Sequence, residues 1–261
     1  MITVKDKVVI ITGAGQGIGK GLAMGLAADG AKVVVAEINR ERGQQAAADI
    51  IKSGGDAIFV HTDVSKYDTV AKMVALVIDT YGRIDALINN AAIYYGVGAS
   101  LFTDISEQAW DKEMAVNVKG TWNCSRAVVP QMILQGKGKI INVASGVAFG
   151  GSPHFMHYVA SKGAVVSMTR AMARELAEMG GNGLTANVFI PAAVAGEASD
   201  KMRSDMQKLN SNKKGDPLAA QIIKRRGTAD DMVGPVLYMV SDASDFVTGS
   251  VVTADGGATS R

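Results

Sequence analysis

The feature of this sequence that most constrains its fold is a regular alternation of short apolar runs with longer helical patterns. The runs carry β-branched residues at consecutive positions, as in Val8–Thr12, Lys32–Ala36 and Lys139–Val143. Strands that are apolar throughout are buried on both faces, which is typical of a parallel sheet between two layers of helices. The alternation therefore predicts an α/β fold with a doubly wound, mostly parallel sheet and helices on both of its faces.

The remaining elements continue this pattern along the chain. Further strands are predicted at Ala57–Val60, Ala86–Asn89, Thr185–Ile190 and Ser250–Thr253, and helices at Ile18–Asp29, Arg40–Ser53, from an N-cap at Ser65 to about Tyr81, within Ser106–Gln135, at Tyr158–Met179 and near Asp230–Ser241. We find no internal repeat or linker, so residues 1–261 are expected to form one domain. A polar, mixed stretch at about 192–227 is predicted to be a substrate lid, although a surface excursion without a role fits the same composition.

Composition excludes several classes of function. The 261 residues include 27 Lys and Arg against 25 Asp and Glu, which argues against a strongly basic nucleic-acid-binding surface. The single cysteine, Cys124, excludes an internal disulfide, and three histidines leave little for a metal centre. No N-terminal signal and no apolar run near the ~20 residues of a membrane helix is visible. We therefore expect a soluble cytoplasmic protein that binds no metal, nucleic acid or membrane.

A glycine-rich turn joins the first strand to the first helix. Its glycines are Gly13, Gly17 and Gly19, with Gln16 and Ile18 between them. Glycines let the backbone approach a pyrophosphate closely, and the following helix offers free N–H groups and the positive end of its dipole. The spacing departs from G-x-G-x-x-G, and the absence of a Gly-Lys-Ser/Thr ending disfavours a P-loop. In this position the turn favours a dinucleotide.

An acidic residue, Glu37, ends the second strand, 24 residues after Gly13. A carboxylate at this place accepts hydrogen bonds from an adenosine ribose and repels a 2′-phosphate. The nearest basic residue beyond it, Arg40, is predicted to lie in the following helix. The sequence therefore favours NAD over NADP, the alternative being a solvated acid at a strand end.

Five motifs in order complete the pattern. After the glycine-rich turn come Asn89-Asn90-Ala91-Ala92, Asn117, Ser145 followed 13 residues later by Tyr158-Val159-Ala160-Ser161-Lys162, and Asp255-Gly256-Gly257. Together they resemble the short-chain dehydrogenase/reductase family over essentially the whole chain. The resemblance implies a Rossmann-like, single-domain oxidoreductase. It also implies four catalytic residues, which are Ser145, Tyr158, Lys162 and Asn117. The resemblance further implies assembly as a homotetramer through the segments Asp111–Gln135 and Tyr158–Met179 and the C-terminal strand.

The chemistry of these residue types agrees with the implied roles. Tyr158 and Lys162 are four residues apart on a helix and project from one face. A free phenol with a pKa of ~10 is a poor base, and a nearby ammonium lowers that pKa. Tyr158 is then expected to exchange the alcohol proton while hydride passes to NAD. Ser145 would hydrogen-bond the substrate oxygen, and Asn117 would hold a water that links Lys162 to solvent.

The resemblance also assigns cofactor contacts. Asp63 and Val64 correspond to an adenine-binding pair, and Asn90 to a residue near the adenosine ribose that also supports the central strand. After the sixth strand the family has Pro-Gly-x-x-x-Thr, whereas this chain has Pro191-Ala192-Ala193-Val194-Ala195-Gly196. Backbone contacts from Ala193 and Val194 to the nicotinamide amide are expected to remain. Without the threonine, either the nicotinamide is anchored more weakly or a lid residue such as Ser199 takes its place.

The substrate wall is predicted to be partly aromatic. It is expected to include Tyr94, Tyr95, Phe149 and Phe155, which suit a ring or aryl group. His154 faces either a polar group of the substrate or solvent. The expected function is NAD-dependent interconversion of a secondary alcohol, cyclic or aryl-bearing or a polyol or sugar, and its ketone. The alternatives are reduction of an acyl-carrier-linked or CoA-linked 3-ketone and a non-catalytic dinucleotide sensor.

Overall fold

The apolar runs form a single seven-stranded sheet in which every pairing is parallel. The computed structural model of the protein describes residues 2–93, 99–180, 183–194, 199–201, 204, 218–219 and 221–259. The strands are β1 (Val8–Thr12), β2 (Lys32–Glu37), β3 (Asp56–His61), β4 (Ala86–Asn89), β5 (Gly138–Val143), β6 (Leu184–Pro191) and β7 (Val251–Ala254). Their order in the sheet is β3-β2-β1-β4-β5-β6-β7, which confirms the predicted doubly wound α/β fold.

Apart from the short helix α6, which was not predicted, the helices lie where the sequence predicted them, with ends that differ by one or two residues. They are α1 (Gly17–Ala28), α2 (Arg40–Lys52), α3 (Tyr67–Tyr81), α4 (Glu107–Met114), α5 (Thr121–Gln135), α6 (Val147–Gly150), α7 (Met156–Gly180) and α8 (Ala229–Val240). None of the helices in the described ranges is long and apolar enough to cross a lipid bilayer.

One predicted helix start is wrong. Ser65 does not cap α3; its backbone N–H and its hydroxyl both donate to the Asp63 carboxylate, the hydroxyl at 2.6 Å. Lys66 is the residue that precedes the first helical turn instead. The nearby carboxylate competes for the serine side chain, and the start of the helix moves to Tyr67.

Alternate side chains of the central strands pack into two cores, one on each face of the sheet. On β1, Val9 and Ile11 belong to the core under α1, α2 and α8, whereas Val8 and Ile10 belong to the core under α3, α5 and α7. The strand order reverses between β1 and β4, and the chain leaves these two strands towards opposite faces. In such sheets a crevice opens at this point, beyond the carboxyl ends of the strands.

A short π-helical segment, Ala115–Gly120, joins α4 to α5. It contains Asn117, which is buried. Single π-turns of this kind occur within α-helices mostly at functional sites, because they redirect side chains and backbone groups. The segment therefore marks this part of the helical layer as a place to look for function.

Candidate active site

A cleft of about 1280 Å³ occupies the crevice at the carboxyl edge of the sheet. Residues from both halves of the sheet line it. Of the residues assigned from the sequence, those that line it are Gly13, Gln16, Gly17, Ile18, Gly19, Glu37, Asp63, Val64, Asn90, Ser145, Phe149, Phe155, Tyr158, Lys162, Pro191, Ala193, Val194 and Ser199. The tertiary structure thus gathers segments more than 150 residues apart around one cavity.

The glycine-rich turn at one end of the cleft leaves room for a ligand to approach its backbone closely. Gly17 has φ +55°, and a Cβ placed there would meet no described atom within 4 Å. A Cβ on Gly19 would lie 2.3 Å from the Gly13 carbonyl oxygen, so only glycine fits. Gln16 precedes α1 and makes no side-chain cap in the described structure. The first N–H groups of α1 therefore remain available to a phosphate, and the turn fits a dinucleotide.

Asn90 braces this turn from the neighbouring strand. Its amide nitrogen donates to the carbonyl oxygens of Thr12 at 2.9 Å and Gly13 at 3.1 Å. Asp63, further along the cleft, accepts hydrogen bonds from the backbone and hydroxyl of Ser65. Both residues are held by the protein itself, which gives each a fixed direction in the cleft.

Glu37 lies at the end of β2 with only 8% of its surface exposed. One carboxylate oxygen accepts from the Gly15 N–H and the other from the Asn39 N–H, both at 3.0 Å. Arg42, in the first turn of α2, donates a hydrogen bond to the Gln16 side chain. Arg40 was the basic residue noted from the sequence, and the contact of Arg42 was not predicted. No local pattern indicates which side chain of α2 reaches the glycine-rich turn.

The three central catalytic candidates meet on one wall of the cleft. Ser145 follows β5, and Tyr158 and Lys162 share a face of α7. The Lys162 ammonium lies 5.6 Å from the centre of the Tyr158 ring and donates to the Val143 carbonyl at 2.8 Å. The Phe155 ring stacks on the Tyr158 ring with the centroids 4.6 Å apart, so the tyrosine ring contacts an apolar ring as well as lying near a cation.

Burial lowers the proton affinity of the Lys162 amine. The residue is 3% exposed. Burial lowers its pKa to about 8, and the charge of Glu113 acts in the opposite direction. A lysine with such a pKa can exchange protons near neutral pH, whereas an ordinary lysine cannot.

Asn117 does not line the cleft but lies directly behind it. Its side-chain oxygen accepts from the Ile93 N–H at 2.7 Å, and its amide nitrogen donates to Ser161 at 3.0 Å and Glu113 at 3.2 Å. The amide thereby connects the π-helical segment to α7 and to the chain that leaves β4. The predicted role of Asn117 in holding a water stays a prediction.

The loop after β6 is fastened by residues from the lid. Ser199 donates to the Val194 carbonyl at 2.7 Å. Arg226 donates to Ser199 at 2.7 Å and to the Val194 carbonyl at 3.4 Å, and it pairs with Asp200 at 2.6 Å. Arg226 also lines the cleft, and the sequence analysis did not assign it. Most of the predicted lid at 192–227 lies outside the described residues.

The predicted substrate wall is assembled only in part. Phe149 and Phe155 line the cleft, whereas His154 does not. His154 has φ +62°, and its backbone carbonyl accepts from Ser100. Tyr94 and Tyr95 lie outside the described residues.

The cleft also contains residues that the sequence analysis noted only as part of a motif or missed. They include Thr62, Lys112, Gln221, Asp255 and Thr259. Asp255 accepts from both the backbone and the hydroxyl of Thr259. The Asp255-Gly256-Gly257 motif was the available signal that this segment approaches the site. Across the described ranges, no group of three His, Cys, Asp or Glu residues is arranged to hold a metal ion.

A family profile described as short chain dehydrogenase matches residues 7–207, and the arrangement of Ser145, Tyr158 and Lys162 agrees with that match. The chain belongs to the short-chain dehydrogenase/reductase family. It is an oxidoreductase of that family, whose members bind a nicotinamide dinucleotide and act on small-molecule substrates.

Other short-chain dehydrogenases and reductases resemble it along their whole length. The 3-oxoacyl-[acyl-carrier-protein] reductase FabG of Staphylococcus epidermidis is 33% identical, and the alignment covers 97% of this chain and 98% of that protein. A gluconate 5-dehydrogenase of Burkholderia cenocepacia, solved with NADP and tartrate, is 30% identical with a TM-score of 0.87, covering 100% of this chain and 98% of that one. An NAD⁺-bound xylitol dehydrogenase is 29% identical with a TM-score of 0.90, covering 97% and 99%.

Proposed function

We propose that this protein is an NAD-dependent oxidoreductase that interconverts a secondary alcohol and its ketone. The substrate is cyclic or aryl-bearing, or a polyol or sugar. The observation that carries the proposal is the arrangement of Tyr158 beside the buried ammonium of Lys162 on the wall of a cleft that begins at the glycine-rich turn. Such an arrangement supplies an acid–base group next to a dinucleotide site.

Tyr158 acts as the acid–base group. The Lys162 ammonium favours the phenolate, which accepts the alcohol proton in the oxidative direction. A bound nicotinamide cofactor would supply the acceptor for the hydride that leaves the same carbon. In the reductive direction the Tyr158 phenol returns the proton to the developing alkoxide. Ser145 donates a hydrogen bond to the substrate oxygen, which stabilises its negative charge.

Glu37 supports the choice of NAD. Its carboxylate is fixed by two backbone N–H groups at the place where the adenosine ribose is expected, and it repels a 2′-phosphate. The xylitol dehydrogenase of similar structure was solved with NAD⁺. Asp63, Val64, Asn90 and the free N-terminus of α1 are the other proposed cofactor contacts.

Ser199 and Arg226 replace the threonine that is missing from the loop after β6. Both donate to the Val194 carbonyl, and Arg226 is in turn held by Asp200. The pair would keep the backbone of Ala193 and Val194 in place for the nicotinamide amide. Ser199 and Arg226 both lie within the segment expected to form the lid.

A second candidate is an NADP-dependent ketone reductase. Arg42 favours it, because the guanidinium lies beside Gln16 at the edge of the glycine-rich turn and carries the charge that a 2′-phosphate would need. The similarity to the FabG protein and to a dehydrogenase solved with NADP adds to this candidate. A non-catalytic sensor is disfavoured, because Ser145, Tyr158 and Lys162 are all present. Homotetramer formation and a cytoplasmic location stay predictions.

The test combines cofactor binding with turnover. Thermal unfolding is measured without cofactor, with NAD and with NADP, since a ligand that binds the native state raises the melting temperature. Absorbance of NADH is then followed with a panel of cyclic, aryl and polyol alcohols, for the wild type and for Tyr158→Phe. We expect NAD to stabilise both proteins and only the wild type to turn over. Stabilisation by NADP alone would support the second candidate, and near-normal turnover by Tyr158→Phe would overturn the mechanism.

A further inference from the structure

Two ionisable side chains are buried behind the catalytic wall, and the mechanism above does not use them. Glu113 on α4 and His157 on α7 are each 1% exposed. The Glu113 Oε2 atom lies 3.4 Å from the His157 Nε2 atom. Neither ring nitrogen of His157 has a hydrogen-bond partner among the described residues. An acid and a base placed together out of contact with water are costly to keep unless they serve a purpose.

The pair is joined to the active site through Asn117 and Lys162. The other Glu113 oxygen accepts from the Asn117 amide at 3.2 Å, and the same amide donates to Ser161 on α7. His157 is the neighbour of Tyr158 in sequence, and its ring meets the edge of Phe155 at 5.6 Å. The negative charge of Glu113 acts to raise the pKa of Lys162, and the positive charge of Lys162 acts to lower the pKa of Glu113.

Few other charges face the pair. The ionisable side chains of α7 in this region are His157, Tyr158 and Lys162, and α6 contains none. On α4, Asp111 and Lys112 are exposed. In the π-helical segment Lys119 is also exposed, and Asn117, which does not ionise, is the residue that contacts Glu113. Of the ionisable side chains named here, Glu113 is the acidic one that is buried near Lys162.

Glu113 takes up its proton near neutral pH. Burial raises the pKa of Glu113 to about 7, with the positive charge of Lys162 opposing the rise. Burial also lowers the pKa of His157 below its ordinary value. Between about pH 7 and pH 8 the group thus consists of a carboxylate, a neutral imidazole and the ammonium of Lys162. Below neutral pH the carboxyl group holds a proton next to a ring nitrogen that can accept it.

We propose that Glu113, held beside His157 behind the catalytic wall, is a positioning residue whose carboxylate provides the counter-charge that keeps Lys162 an ammonium ion. The inference rests on the proposed function, because it concerns the lysine that activates Tyr158. Glu113 acts through Lys162 and contacts neither substrate nor cofactor in this arrangement. Its effect is to extend the working range of Tyr158 towards alkaline pH.

The first readout is the pH profile of kcat. Replacement Glu113→Gln keeps the shape and the hydrogen bond to Asn117 and removes the charge. Lys162 then loses its proton at lower pH, so the alkaline limb of the profile is expected to shift by about one pH unit to the acid side. Glu113→Asp keeps the charge and is expected to hold the limb within a few tenths of a unit. Glu107→Gln, the same change at an exposed position of α4, is the control and leaves the profile unchanged.

The second readout needs neither cofactor nor turnover. The chain has three histidines, so imidazole resonances are readily assigned by NMR with His157→Gln as a reference. In the cofactor-free wild type, the His157 signals are expected to follow an inflection near neutral pH as Glu113 takes up its proton. In Glu113→Gln that inflection disappears. If Glu113→Gln does not fold, the wild-type titration and the Glu113→Asp profile decide the question.

The inference is overturned by an alkaline limb that is the same in the wild type and Glu113→Gln, or by a His157 signal without an inflection near neutral pH. Either result can occur while Tyr158→Phe is inactive, in which case the proposed function stands and only the role of the buried pair fails. Conversely, an active Tyr158→Phe protein removes the proposed function itself. The His157 titration would then report only on the protonation of Glu113.

Discussion

The ring of Phe155 stacks on the ring of Tyr158, with centroids 4.6 Å apart and planes inclined by 26°. Both residues are buried, at 5% and 6% exposed. Stacking of this kind adds to the burial of the two rings and limits the rotation of the tyrosine about its side-chain bonds. Phe155 therefore fixes the direction in which the phenol oxygen points into the cleft.

Replacement of Phe155 by leucine should allow the Tyr158 ring a wider range of orientations. We expect Phe155→Leu to lower kcat by roughly tenfold to a hundredfold, since small displacements of a catalytic group have effects of this size. The affinity for NADH, measured by fluorescence titration, should stay unchanged. Phe149→Leu, at the more exposed phenylalanine of the cleft, serves as the control and should alter KM more than kcat. An unchanged kcat in Phe155→Leu would show that the stacking does not position Tyr158.

Cofactor choice can be tested at the end of β2. Glu37→Ala removes a charged acceptor worth about 1.5–3 kcal/mol, so the preference for NAD over NADP should narrow by about tenfold or more. Dissociation constants for both cofactors provide the measurement. Glu41→Ala makes the same change at an exposed position of α2 and should have no effect.

Arg42 offers the complementary test. If NAD is the cofactor, Arg42→Ala should leave the affinity for NAD within about twofold, because the guanidinium bonds only to Gln16 among the contacts described. A large loss of NADP binding in Arg42→Ala, together with tight NADP binding by the wild type, would instead favour the ketone reductase.

Stability of the cofactor-free protein should rise at alkaline pH because of Lys162. Its pKa is about 8 in the folded protein against an ordinary value of 10.5, so between these values the unfolded chain binds more protons. The free energy of unfolding then increases with pH through this window, by about 3 kcal/mol at most. Below about pH 8 Lys162 is charged in the folded protein, so the full free-energy cost of burying that charge lowers the stability there. Denaturant titrations of the wild type and Lys162→Met from pH 7 to 10.5 measure the difference, which should vanish if Lys162 were not buried as a charge.

The loop after β6 should depend on Arg226. Arg226→Leu removes the contacts to Ser199, Asp200 and the Val194 carbonyl, and we expect a several-fold weaker affinity for NADH with little change in melting temperature. Arg225→Leu is the matched control. Arg225 pairs with Asp231 at 2.7 Å on the exposed side, away from the cleft, and its loss should leave NADH binding intact. Equal affinities of the two variants would contradict the proposed anchoring of the nicotinamide loop.

Local patterns were sufficient for most of the fold. Runs such as Val8–Thr12 and Lys139–Val143 are apolar at every position because both faces of the strand are covered, and this property is written in adjacent residues. The wrong start of α3 shows the limit of such patterns. Ser65 has the residue type of an N-cap, but its hydroxyl is bound by Asp63, and a preference for residue type does not include that competition.

The sequence by itself determined the parallel sheet, the glycine-rich turn and the shared helix face of Tyr158 and Lys162, because each depends on residues close together in the chain. Only the tertiary structure decided which charges meet at the site. The contact of Arg42 with Gln16 spans 26 residues, that of Arg226 with Ser199 spans 27, and Glu113 meets His157 from another helix. Contacts of this kind follow from how helices turn and pack on the sheet, and helical periodicity specifies an apolar face without specifying which polar side chains come together around it.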